Sequence, residues 1–240
     1  MSLSPLTLSI RRPANLSQHV YDAVTKSIAT GGLEPGVRLV VERVAQELGV
    51  SPTPVREALG RLINEGLVME TGTGRFQVMP LSPAYVSDTF LVRGALEGLA
   101  AELAAARVSD TRLSELAADI DEADAALQRG VTDPYSRFDD SLHRSIFEAG
   151  SNAVLLRELG PLQIHVDFIR HYSRHVAGEH ITLSQAEHRV ILEALQSRDA
   201  RRSRQAMETH IRNAGQRIGR LIDFHSPNGG GGTDNPRTLA

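Results

Sequence analysis

LEPGVRLVVERVAQELGVSPTPVREALGRLINEGLV (33–68) is the stretch on which the reading of the fold turns. Pro35-Gly36 makes a turn. After it, Val44, Ala45 and Leu48 give a short helix, roughly Val41 to Leu48, one apolar face, and Gly49 ends it. Ser51 stands where an N-cap belongs, with Pro52 at the first helical position, where a missing N–H costs little. That next helix buries Val55, Leu59, Leu62 and Ile63 and stops at Gly66. Upstream, Leu16, Val20, Ala23, Val24, Ser27 and Ile28 recur at helical spacing until Gly31-Gly32. Downstream, 67–70 and 75–78 read as short strands around the turn Thr71-Gly72-Thr73-Gly74. Helix, short helix, sharp turn, helix, hairpin is the order of a winged helix-turn-helix, here over 15–80.

Pro80 and Pro83 interrupt any regular element and mark the boundary to a second domain, 83–224. Its pattern predicts helices near 83–107, 110–129, 133–149, 152–176, 183–197 and 199–223, the fifth opened by a Thr182/Gln185 capping box. Short connections predict antiparallel neighbours, so the fold class is mostly α: a winged domain with a small β-hairpin, then an antiparallel all-α bundle. Residues 1–14 read as a flexible arm and the Gly-rich 225–240 as a disordered tail.

Composition agrees. Aromatics are 4% and Trp is absent, so the cores are Leu/Val/Ile/Ala-filled, which suits helices. Cys is absent too, which excludes disulfides and thiolate metal sites and fits a reducing cytoplasm. No apolar run reaches the roughly 20 residues a membrane span needs. The net charge of −3, and the near balance of eight Lys/Arg against seven Asp/Glu in residues 1–80, argue against indiscriminate nucleic-acid binding. DNA contact must come from the placement of a few cations.

The 33–68 stretch resembles the GntR family of bacterial repressors. The similarity rests on Pro35-Gly36, Leu39, Gly49-Val50-Ser51, the run Thr53 to Leu59, Leu62 and Gly66-Leu67, within about 15–80. The resemblance implies operator contacts from Arg43, Ser51, Thr53, Arg56 and the wing residues Gly72, Thr73, Gly74 and Arg75. Arg56 at the start of the recognition helix suits guanine O6/N7 or a phosphate. Pro52 replaces an Arg common in the family and cannot make a bidentate base contact, so the operator preference is expected to differ.

Three of the nine His residues are placed unusually. Asp139 and His143 are four apart, on a face continued by Ile146 and Phe147; His188 shares a stripe with Ile191, Leu192 and Leu195; His210 lies between Met207 and Ala214. Three imidazoles and a carboxylate from three inward-facing helices would give a divalent cation (Zn, Ni or Mn) four ligands. His171 and His175, also four apart, lack a third or fourth partner and read as rim groups. FDDSLHRSIFEAGSNAVLL (138–156), Glu187-His188 and Glu208-x-His210-Ile211 are similar to the motifs of the FadR-type C-terminal ligand domain of the same superfamily. That similarity implies Asp139, His143, His188 and His210 as metal ligands. Leu142 stands where Phe is common, a packing change. It also implies an effector pocket at Arg93, whose guanidinium suits a carboxylate but could equally pair with Glu97 one turn on. Asn213, one turn after His210, is a further pocket candidate.

The expected protein is a cytoplasmic, ligand-responsive transcription regulator and not an enzyme. It would bind a double-stranded DNA operator as a homodimer through the small-residue helix Ala95 to Ala106, with a small carboxylate effector in the helical domain. The alternative is a metal-dependent hydrolase or oxygenase fused to a DNA-binding module. A purely structural helical domain is a third reading.

Overall fold

The computed structural model describes residues 16–173 and 178–225; the expected arm, His175 and the expected tail apart from His225, which ends the last helix, lie outside them. The chain divides into two compact units between Pro80 and Leu81.

In the first, α1 (Leu16–Ala29), β1 (Arg38–Leu39), α2 (Val41–Leu48), α3 (Pro52–Asn64), β2 (Val68–Gly72) and β3 (Arg75–Val78) follow in order. Val20, Val24 and Ile28, one face of α1, are buried with Val55, Leu59 and Leu62 of α3. Arg61 lies over the Tyr21 ring, 3.9 Å from its centroid, while the Tyr21 hydroxyl donates to Glu65 at 2.7 Å. Both contacts tie α1 to α3 by polar groups at the edge of that apolar seam. Gly49 has φ 65° and closes α2, its N–H reaching the carbonyls of Ala45 and Gln46. A side chain there would meet the left-handed penalty, so this glycine is what makes the α2–α3 turn cheap. Ser51 is extended as an N-cap should be, but its side chain makes no capping bond.

The sheet has three strands in the order β1-β3-β2, all antiparallel. The sequence reading missed β1, because its two residues gain their partners only from Gln77 and Phe76, far along the chain.

In the second unit α4 (Pro83–Ala105), α5 (Asp110–Gln128), α6 (Asp133–Gly150), α7 (Ala153–Ser173), α8 (Gly178–Gln196) and α9 (Ala200–His225) surround one core. Ser82 and Ser109 cap α4 and α5, each side chain accepting at 3.1 Å from the N–H three residues on. Asn152 Oδ1 caps α7 by accepting from Val154 and Leu155 at 3.1 Å. Two expectations are corrected. Helix α8 starts at Gly178, so Thr182 and Gln185 lie inside it; Gln185 instead donates across the core to Asp124 at 2.8 Å. The alanine stretch of α4 is not a free surface: Ala100, Ala101, Ala104 and Ala105 are fully buried within the unit.

Helix α4 can sit centrally because α9 comes very close. A Cβ on Gly98 would fall 2.6 Å from Glu208 Cγ, and one on Gly215 would fall 2.6 Å from Phe90 Cβ.

Candidate functional site

On the winged unit, Ser51, Thr53 and Arg56 are exposed at the start of α3, while Val55 and Leu59 point into the core. The hairpin residues Gly72, Thr73, Gly74 and Arg75 are exposed as well. The two groups are neighbours: a Cβ built on Gly74 lies 4.0 Å from Arg56 Nη1. Gly74, at φ 71°, donates its N–H to Glu70 Oε1 at 2.8 Å, which fixes the hairpin tip. Arg56 also pairs with Glu42 of α2 at 3.1 Å, and Arg43 with Glu47 at 3.0 Å. Such exposed pairs contribute at most about 1 kcal/mol, so either guanidinium can be given up to a phosphate or a base edge. Arg56, the first turn of α3 and the hairpin tip therefore offer cations and hydroxyls on exposed surface, and Arg43 is half-buried.

In the helical unit, Asp139, His143, His188 and His210 are all buried, and one ligand atom from each lies within 4.8 Å of the others. Helix α6 supplies the first two, one turn apart, α8 the third and α9 the fourth. His188 Nε2 is 3.1 Å from Asp139 Oδ1 and 3.3 Å from His210 Nε2; His143 Nε2 is 3.7 Å from the same carboxylate oxygen. Two outer carboxylates set the tautomers. Glu97 Oε2 receives His143 Nδ1 at 2.5 Å, and Glu187 Oε2 receives His210 Nδ1 at 2.9 Å. An imidazole donating from Nδ1 turns the Nε2 lone pair inward.

The electrostatics favour neutral imidazoles around ionised carboxylates. Burial pushes His188 down, and burial with the neighbouring His188 ring pushes His210 down to about 3. Burial would raise Asp139, but Arg170, 3.0 Å from its second oxygen, and His188 hold it well below the usual range. Burial is likewise outweighed at Glu97, which Arg93 and His143 hold at about 2. At Glu187, Arg217 and His210 do the same, again to about 2.

His143 Nε2 is buried and has no hydrogen-bond partner. Leaving such a group unmet costs about 1–3 kcal/mol. A divalent cation at the convergence would satisfy it, and three neutral imidazoles with one carboxylate are ligands that Zn, Ni and Mn accept. The donor set fits.

Beside the cluster opens a cavity of about 440 Å³ whose walls include Arg93, Asp139, Arg170, His210 and Arg217. Arg93 lines it and also pairs with Glu97. Asn213 is not on the cavity wall; its amide donates to Glu187 Oε1 at 2.8 Å. His171 stands apart from the four, its ring against Tyr172. Sequence reasoning missed Arg170, Arg217 and Tyr135. Arg217 chelates Glu187 at 2.8 and 2.9 Å and reaches Ser184 at 2.8 Å, and Tyr135 stacks on His188. Arg217 lies two turns beyond His210 on the same face, a spacing that could have suggested it.

With this geometry described, known proteins can be compared. Residues 16–78 match the family described as bacterial regulatory proteins, gntR family, and residues 88–213 match the FCD domain. The HTH-type transcriptional repressor RspR of Escherichia coli is 26% identical over 220 residues, covering 91% of this chain and 95% of that protein. The probable D-xylose utilization operon transcriptional repressor of Paenarthrobacter nicotinovorans is 30% identical over 201 residues, covering 82% and 85%. Among solved structures, E. coli McbR/YncC superposes with a TM-score of 0.64 at 21% identity, covering 86% of this chain and 98% of that one. At that identity it supports the fold.

Proposed function

Because the chain belongs to the gntR family of bacterial regulatory proteins and carries the FCD domain, and so is a transcription regulator and not an enzyme, we propose that it is a ligand-gated repressor. It binds operator DNA in the bacterial cytoplasm as a homodimer, and its helical unit holds one divalent metal and a small carboxylate effector. The observation that carries the metal and effector reading is the convergence of Asp139, His143, His188 and His210 beside the cavity. Equilibrium dialysis of the full chain against Zn²⁺ tests it, with one ion per chain expected. A bound ion supplies a positive charge and open coordination positions to an incoming carboxylate. Arg93, Arg170 and Arg217, already buried or half-buried around it, orient that carboxylate. An effector that favours one spacing of the two winged units in a dimer changes operator affinity, since half-sites lie about one DNA turn apart. The hydrolase or oxygenase alternative has no support from the relatives, which are named as transcription regulators.

Operator contact by Arg43, Ser51, Thr53, Arg56 and Gly72 to Arg75 is supported by the exposure of all but the half-buried Arg43 and by the closeness of Arg56 to the hairpin tip. Arg56→Ala should weaken binding to a selected operator by about 1–3 kcal/mol. Fluorescence anisotropy measures this, and undiminished affinity removes Arg56 from the interface.

For the homodimer, α4 offers Leu91 and Val92, which are 71% and 53% exposed. They are large apolar side chains on a helix whose Ala100, Ala101, Ala104 and Ala105 are already buried. Sedimentation at micromolar concentration should give a dimer, and Leu91→Asp with Val92→Asp should shift it to monomer. A monomeric wild type, with and without DNA, would end this reading.

A further inference from the structure

Resting on the carboxylate-effector reading above, we infer that the effector is an acid with a single carboxylate on an apolar tail. Two features of the cavity lead there, its direction and its charge.

Helices α8 and α9 run antiparallel past the metal cluster: His188 meets His210, and one to two turns further on Ser184 meets Arg217 at 2.8 Å. The cavity follows this pair outward. At 1.5 Å per residue, Ile181 stands about 10 Å from His188 along α8, and Leu221 about 16 Å from His210 along α9. The wall changes character over that distance. Near the cluster it is Asp139, Arg170 and Arg217; beyond them it is Ile181, Ile218 and Leu221. A ligand whose carboxylate sits at the ion therefore lays the rest of itself along aliphatic side chains.

The charges are also matched. Arg93 pairs with Glu97, Arg170 with Asp139 and Arg217 with Glu187, one guanidinium to one carboxylate. Asp140 adds one exposed negative charge to the wall. A divalent cation leaves a surplus of one positive charge, which one carboxylate neutralises. A second carboxylate at the far end would face Ile181, Ile218 and Leu221. Beside Ile181, His180 Nδ1, buried and without a hydrogen-bond partner, would meet it. One ring nitrogen is poor compensation for desolvating a carboxylate.

The test is calorimetry on the zinc-loaded full chain with straight-chain monocarboxylates from acetate to octanoate, and with suberate, the dicarboxylate of octanoate's length. Each added methylene should tighten binding about fourfold, the equivalent of ~0.8 kcal/mol. Octanoate should bind at least about tenfold more tightly than suberate. Leu221→Asn, at a half-buried position, should flatten the chain-length dependence. A flat series, or suberate equal to octanoate, overturns the proposal while leaving the carboxylate reading in place. Failure of every acid, acetate included, to bind protein that still carries zinc overturns that reading and this one with it.

Discussion

His210→Ala should abolish stoichiometric metal binding, and with it any gain in melting temperature on adding zinc. A ligand that binds only the folded chain at a thousandfold excess over its Kd stabilises by about 4 kcal/mol. For a protein of this size that is a shift on the order of 10 °C. The variant should lose all of it, because His210 Nε2 is one of the four converging donors and no other side chain in the cluster replaces it. The metal-free fold should survive. Glu187, which holds the His210 ring, keeps two bonds from Arg217 and one from Asn213 when the imidazole is gone. His171→Ala is the control and should keep its metal. Mass spectrometry under native conditions reads both. One ion per chain in His210→Ala, or its loss in His171→Ala, would show that the ligands have been misassigned.

The second large effect is expected in the metal-free protein. Glu97→Ala should lower stability by about 3–5 kcal/mol, because it leaves the buried Arg93 guanidinium without its counter-charge. His143 Nδ1 loses its acceptor in the same step. Glu102→Ala, which breaks an exposed pair with Arg204, should cost no more than about 1 kcal/mol. Urea unfolding of the chelated protein measures the difference. Arg93→Met combined with Glu97→Leu should recover most of the loss, since no unpaired charge then remains in the core. Equal unfolding midpoints for Glu97→Ala and Glu102→Ala would mean that water or a rearranged partner compensates Arg93.

The elements legible in the sequence are those decided locally. Gly49 and Pro52 punctuate α2 and α3 within a few residues, and four-residue spacing alone puts Asp139 and His143 on one face of α6. What escaped was decided at a distance. The two residues of β1 are a strand only because β3 returns beside them. Thr182 and Gln185 carry a local capping pattern, but Gln185 bonds to Asp124, 61 positions earlier. Small residues of α4 allow close approach, as expected, yet Ala100, Ala101, Ala104 and Ala105 are buried against the unit's own helices. Arg170 and Arg217 belong to the site through Asp139 and Glu187, each about 30 positions away. Within its own helix only the seven-residue step from His210 to Arg217 hints at such a partner, whereas the histidines stand out as polar residues on apolar stripes.

Gly215 lies outside the cavity, yet a methyl group there would strike the Cβ and ring of Phe90, which forms part of the cavity wall. The room in the cavity is thus partly set at a residue that does not line it. A lineage could shrink or reshape this cavity by acquiring alanine at 215 without substituting a single residue of its wall.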